Sequence, residues 1–307
     1  MKVVVVGAAG QLGRVTVERW AGAHEVTALT RREVDIADAA AVERTLDALA
    51  PELILNCAAY NDVDGAEDMP ATAFTVNALA VRSMAAVAGR AGATLVHYST
   101  DFVFDGADRA TPYTETDAPK PQSVYGMSKL LGEWLAAAAP RAYVLRVESL
   151  FGGVYVRSSV DRLVAALERG EPLRVFADRT LTPSYVADVV EATCRLVETG
   201  APAGLYHCVN SGVTNWLELA EELARLTGRS ATARLEPVAS ASVPLKAKRP
   251  QYCALSNAKL RAAGVEMPEW RDALRRYLRG AGPHEAPPRA ERGDQPPNSP
   301  RAGRDRA

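Results

Sequence analysis

Short runs that are apolar at every position alternate along this chain with longer stretches whose apolar residues recur at helical spacing. Val3-Val4-Val5-Val6 has the pattern of a strand buried on both faces, and Gly7-Ala8-Ala9-Gly10-Gln11-Leu12-Gly13 follows at once, leading into a helix-like segment over 12–21. Further strands are predicted at 25–29, 53–56 and 94–98, with a helix over 38–50 and a long helical stretch over 61–91 that breaks near Met69-Pro70. Strands at 143–147, 173–176 and 205–209 and helices over 160–169 and 184–197 continue the alternation. Such a series predicts an α/β fold in which helices cover both faces of a parallel sheet.

The first turn adds chemistry to that pattern. Glycines three apart, between a buried strand and a helix, let the backbone turn tightly and approach a pyrophosphate, whose charge the helix N-terminus favours. The fold class is therefore a Rossmann-type doubly wound sheet with a smaller C-terminal substrate-binding lobe. The second strand ends at Thr30-Arg31-Arg32, where an adenosine ribose should lie, and two arginines there suit a 2′-phosphate. NADPH is the expected cofactor, with NADH as the alternative. Asp35 and Ile36 would flank the adenine, and the small Ala58 and Ala59, ahead of Tyr60, leave room for a cofactor at the end of the third strand.

Two further signals follow in order. The strand over 94–98 delivers Ser99-Thr100-Asp101 at its C-terminal tip, where a hydroxyl can hydrogen-bond a substrate oxygen. Beyond a proline-rich loop comes Tyr125-Gly126-Met127-Ser128-Lys129. Residues four apart share a helix face, so the Tyr125 phenol and Lys129 ammonium should project into one space, the cation favouring the phenolate and bringing proton transfer within reach.

Composition narrows the partners. With 307 residues, a net charge of −1 and a pI near 6.5, the chain has no basic field for nucleic acid, and small ligands are the better expectation. Apolar runs fall short of the ~18 residues of a membrane span, and the N-terminus lacks the length of a signal peptide, so the location expected is cytoplasmic. Cys57, Cys194, Cys208 and Cys253 are far apart and read as free core thiols, and the four histidines are scattered, so no metal site is expected. Acids in the segment 61–67 read as a solvated helix start. The organisation expected is a nucleotide-binding domain over 1–150, a lobe over 151–280 with elements returning to the sheet, and a disordered tail over 281–307, where six prolines and three glycines accompany mixed charge.

GAAGQLG at the start, NCAAYNDVDGAE after the third strand, STDFVFDG after the fourth, YGMSKLLGE and the late RPQYCALSNAKL together resemble the extended short-chain dehydrogenases and, more narrowly, the dTDP-4-dehydrorhamnose reductase family, over residues 1–280. The resemblance implies an NADPH-dependent oxidoreductase that reduces the C4 keto group of a nucleotide-linked 4-keto-6-deoxy sugar. It implies Tyr125 as proton donor, Lys129 on the nicotinamide ribose, and Thr100 and Asp101 against the substrate. It further implies Gly7, Gly10, Gln11, Leu12 and Gly13 at the pyrophosphate, Asp35 and Ile36 near the adenine, and Ala58, Ala59 and Tyr60 along the cofactor. Ser149 and Arg249 are its remaining substrate contacts, and a homodimer is compatible with it.

The chain also departs from the family pattern. Where those reductases have Arg-Thr-Ser-Trp after the fifth strand, this chain has Arg146-Val147-Glu148-Ser149, so the aromatic wall expected against the sugar is missing. The family's later Asp-Gln is Asp178-Arg179 here, a cation in place of an amide. An altered pocket leaves open another dTDP-4-keto sugar, such as one of a streptose-type pathway. A non-catalytic alternative is a regulatory subunit like the methionine adenosyltransferase beta subunit. Intact Thr100, Tyr125 and Lys129 favour the enzyme.

Overall fold

In the computed structural model, which describes residues 1–106, 109–153 and 158–280, the all-apolar runs form the centre of one parallel sheet. Its strands are β1 (Lys2–Val6), β2 (Glu25–Leu29), β3 (Leu53–Asn56), β4 (Thr94–Thr100), β5 (Ala142–Val147) and, from far along the chain, β10 (Gly204–His207), in the order β10-β5-β4-β3-β1-β2. Every pairing is parallel, so the strand ends that carry the glycine turn, Ala58 and Thr100 lie along one edge. β4 runs past the expected 94–98 to Thr100, because Ser99 and Thr100 pair with Arg146 and Val147 of β5.

Helices α1 (Gln11–Ala21) and α2 (Ala39–Leu49, capped by the Asp38 side chain on the Ala41 amide) follow their strands at the expected places. The long stretch over 61–91 resolves into α3 (Val63–Asp68), α4 (Pro70–Phe74), a π-helical turn (Thr75–Leu79) and α5 (Ala80–Ala91). Pro70 starts α4, where its missing N–H costs nothing. Pro70–Ala91 is long enough and apolar enough to cross a membrane, which no single apolar run had suggested, yet over half of it is buried among core residues such as Val81, Met84 and Val87. Its hydrophobicity is that of a core helix.

The next helix, α6 (Val124–Ala136), carries Tyr125 and Lys129 and is held unusually close to its surroundings. A Cβ on Gly126 would stand 2.3 Å from the Phe102 carbonyl, and one on Gly132 would stand 2.2 Å from the Asn77 carbonyl. Side chains are excluded at both contacts. Beside them Glu133 takes a two-pronged ion pair from Arg146 of β5, Nε to Oε1 at 2.8 Å and Nη2 to Oε2 at 2.7 Å, and a third bond from the Ser99 hydroxyl at 2.5 Å. These residues are buried, so the charges are fully paired in a dry site.

Beyond β5 come β6 (Leu150–Phe151), α7 (Ser159–Arg169), β7 (Leu173–Phe176), β8 (Thr180–Leu181), β9 (Ser184–Tyr185) and α8 (Val186–Glu198). The helix expected over 184–197 therefore starts two residues late, because Ser184 and Tyr185 pair with β6 first. After β10 follow β11 (Thr214–Asn215), α9 (Trp216–Leu226), β12 (Leu235–Val238), α10 (Ala258–Ala262) and α11 (Trp270–Gly280). Phe151, Leu163, Leu219, Leu223, Trp270 and Leu274 give this part its own hydrophobic cluster. The tail expected over 281–307 lies outside the described residues.

Breaking a buried ion pair by removing one partner leaves a bare charge. Glu133→Ala should therefore lower unfolding stability by about 3–5 kcal/mol, read by urea denaturation, and a loss under about 1 kcal/mol would show that Arg146 finds other compensation.

Candidate active site

A cleft of about 1120 Å³ runs along the C-terminal ends of the sheet strands and under β8 and the start of α9. At its first end Gly7 has φ +80°, and a Cβ there would lie 2.6 Å from the Ala58 amide. One on Gly13 would lie 2.2 Å from the Gly7 carbonyl. Gly10 opens α1 with no side-chain cap, which leaves first-turn amides for an anion at the cleft mouth. This is a cradle that side chains would fill, and it fits a dinucleotide pyrophosphate. Gln11 and Leu12 line it too, but the Gln11 side chain reaches away, donating to the Gly152 carbonyl at 2.5 Å and so tying the turn to the chain beyond β6.

The two arginines expected at the adenosine ribose separate. Arg31 lines the cleft, whereas Arg32 lies outside it, exposed, its backbone amide on the Thr30 hydroxyl. Glu33 takes up both the Thr30 amide (2.8 Å) and hydroxyl (2.6 Å), and these bonds hold its carboxyl below the usual range. That tight turn decides which arginine faces the ligand. Asp35 and Ile36 line the cleft as expected, as do Ala58, Ala59 and Tyr60. Asn77, buried in the π-helical turn, accepts the Tyr60 amide (2.8 Å) and donates to the Tyr60 carbonyl (3.1 Å) and the Ser128 hydroxyl (2.9 Å), clamping this floor to α6.

Thr100, Tyr125 and Lys129 come together in the middle of the cleft, all buried. The Thr100 hydroxyl donates to Asp101 at 2.9 Å and lies beside the Tyr125 phenol. The expected pairing of phenol with ammonium needs correcting. Lys129 Nζ donates to the Tyr98 carbonyl at 2.5 Å, and burial, with the nearby Asp101 charge, pushes the Tyr125 phenol above its ordinary value although the Thr100 hydroxyl opposes this. Burial pushes Lys129 down to about 8, with Glu133 opposing. In this buried site the charged form of each group loses more by leaving water than it regains from neighbours, so the Tyr125 phenol holds its proton. Under Lys129, Asn56 donates to His97 Nδ1 at 3.1 Å, and burial with the Lys129 charge keeps that ring neutral.

At the far end the acids of 61–67 prove to have partners. Asp62 caps α3, and Asp64 takes both terminal nitrogens of Arg249 at 3.0 and 2.8 Å, a pairing that holds its carboxyl down at about 2. Arg249 thus reaches the cleft with its guanidinium already braced. Ser149 lines the cleft at φ +44°, held by the Ser184 amide on its carbonyl. An indole does line the cleft, from Trp216 at the start of α9 and not from the position after β5. Arg146 is not a cleft residue; it belongs to the Glu133 pair. Glu148, Arg179 and Cys253 complete this end around Asp101. The sequence offered no spacing by which to find Asn77, Trp216 or Glu148 as site residues.

The model of the RmlD substrate binding domain family matches residues 1–281. The dTDP-4-dehydrorhamnose reductase of Mycobacterium tuberculosis is 38% identical over 282 residues, covering 89% of this chain and 91% of that protein. A probable dTDP-4,6-dihydroxy-2-methyloxan-3-one 4-ketoreductase of Streptomyces antibioticus is 36% identical over 279 residues, covering 90% and 94%. Among solved structures, the dTDP-4-dehydrorhamnose reductase of Bacillus anthracis in complex with NADP superposes with a TM-score of 0.86 at 30% identity, covering 91% of this chain and 99% of that one. Alignment over nearly the whole length, on a fold that sets the glycine cradle beside the strand-end threonine and helix-borne tyrosine, places this chain in the dTDP-4-dehydrorhamnose reductase family.

Proposed function

We propose that this chain reduces the C4 keto group of a dTDP-linked 4-keto-6-deoxy sugar, with dTDP-4-dehydrorhamnose as first candidate and NADPH as reductant. The observation that carries the reading is the meeting of Thr100, Tyr125 and Lys129, all buried, in a cleft reached from the glycine cradle. The amides of the turn and Arg31 would hold NADPH, which would supply the hydride. With the sugar bound, the Thr100 hydroxyl would turn from Asp101 to the carbonyl oxygen, and Tyr125, kept protonated by burial, would deliver its proton as the alkoxide forms. Lys129, fixed on the Tyr98 carbonyl, places a cation near the emptied phenol position. Asn77 and Gly132 hold α6 so that these groups meet.

The relative from Streptomyces antibioticus supports a second reading, a different dTDP-linked ketone, because Glu148 and Arg179 stand where the family pattern has other groups. Incubation with NADPH and dTDP-4-dehydrorhamnose, with cofactor oxidation followed and the product assigned by NMR, tests the proposal. A rhamnose product supports the first candidate and another 6-deoxy sugar the second. Binding of NADPH without turnover of any 4-keto sugar would favour a regulatory subunit.

Tyr125→Phe keeps the ring and loses the proton, so kcat should fall by roughly 10²–10⁴ while NADPH affinity holds; a loss under about tenfold would remove Tyr125 as donor. For the cofactor, Arg31→Ala should weaken NADPH by roughly 10- to 100-fold and leave NADH nearly unaffected, while Arg32→Ala changes neither in titration by fluorescence. Equal effects of the two replacements would contradict the division seen at the strand end. Lys129 is charged below about pH 8 and neutral above it, so kcat/KM should decline on the alkaline side from there. A profile flat to high pH would show that the Lys129 charge is not needed.

A further inference from the structure

Glu148 is a buried carboxyl that neither the glycine cradle nor the Thr100, Tyr125 and Lys129 group uses. It directly follows β5, and its Oε2 accepts the Thr182 amide at 2.8 Å and hydroxyl at 2.6 Å. The Thr182 oxygen is itself a partner of the Leu255 amide at 3.1 Å, which fixes the hydroxyl proton toward Glu148. Asp101 approaches from the end of β4, anchored by the Thr100 hydroxyl. An oxygen of each carboxyl and the Cys253 sulfur lie within 4.8 Å of one another, all three residues buried. Two carboxylates this close in a water-poor pocket repel too strongly for both to ionise, so the pair retains a proton.

Resting on the keto-sugar reading, we infer that Glu148 and Asp101 share one proton and present it as a carboxylic O–H to a neutral sugar oxygen, hydroxyl or keto, next to the reacting carbonyl, which makes Glu148 a specificity-determining residue. Position supports this: Asp101 adjoins Thr100, and its charge is felt at the Tyr125 phenol, so the pair borders the place where the carbonyl is held. Burial sets both carboxyls above their ordinary range, Asp101 up to about 6, and the Asp101 charge raises Glu148 further, while the Thr100 and Thr182 bonds pull the other way without cancelling burial. The other groups facing the pair are Arg179, which favours ionisation, and Cys253, Tyr125 and Tyr252, all kept protonated by burial. The Arg179 charge lowers both carboxyls but acts against the larger effect of burial, and its Nε donates to the Pro250 carbonyl at 3.3 Å. A neutral donor here discriminates among sugars by what their oxygens can accept, because a buried group left unpaired is costly.

The test is calorimetric binding of dTDP-rhamnose, the product of the proposed reduction, to the full chain saturated with NADP⁺, from pH 6 to 9. In the wild type, affinity should fall by roughly tenfold across that range as the shared proton is lost. Glu148→Gln keeps an oxygen for both Thr182 donors and an N–H for the sugar, so its affinity at pH 6 should match the wild type and then vary less with pH. Glu148→Ala should bind roughly tenfold more weakly at pH 6, and if it does not fold the glutamine comparison decides alone. Tyr125 and Lys129 titrate in both proteins and cancel in the comparison. Parallel pH profiles for wild type and Glu148→Gln, or unchanged affinity in Glu148→Ala, would overturn the shared proton while turnover of a 4-keto sugar by the wild type leaves the functional reading standing. Failure of the wild type to bind the product at any pH would overturn both.

Discussion

The position of α6 is the constraint on which the site depends. Tyr125 and Lys129 reach the strand ends only because Gly126 and Gly132 let the helix touch neighbouring backbone and because Glu133 is bolted to Arg146 of β5 and Ser99 of β4. Removing two charges from water is expensive, and it is tolerated here because Glu133 accepts from two Arg146 nitrogens and from the Ser99 hydroxyl. The same strands that receive this bolt end in Thr100 and just before Glu148, so these cleft residues and their support are parts of one framework.

Dryness then sets the chemistry. Burial keeps the Tyr125 phenol protonated, lowers Lys129, and raises Asp101 and Glu148. A reductase working in the direction of an alcohol needs a proton on its donor, and burial supplies that without an ammonium in contact. Bonds across the cleft close the site around this chemistry: Gln11 to Gly152, Asp64 to Arg249, and Asp68 to Lys246 join the early and late halves of the chain. Arg249 is braced before any ligand arrives, which lowers the entropy lost on binding.

Much of this was legible in the sequence, for identifiable reasons. Strands buried on both faces, such as β1 and β3, have no polar positions and announce themselves, and a glycine turn between strand and helix has one dominant use. Tyr125 and Lys129 paired by helical spacing, Thr100 stood at a predicted strand tip, and the family resemblance joined the three. What stayed hidden depends on contacts between residues far apart in sequence. Glu133 and Arg146 look like surface charges in a linear reading, Arg31 and Arg32 are distinguished only by the turn that Glu33 tightens, and Trp216 enters the cleft from a helix with no motif of its own. The expectation that Lys129 favours the phenolate failed because helical spacing gives direction and says nothing of the Tyr98 carbonyl waiting for the ammonium.

The central claim is that this cleft directs a hydride from NADPH to the carbonyl carbon while Tyr125 supplies a proton to its oxygen. Reduction of dTDP-4-dehydrorhamnose with NADPH deuterated at either face of nicotinamide C4, read by NMR of the sugar, tests it most directly. The account predicts full deuterium at sugar C4 from one face and none from the other. Deuterium lost to solvent, placed on another carbon, or drawn from both faces would contradict it.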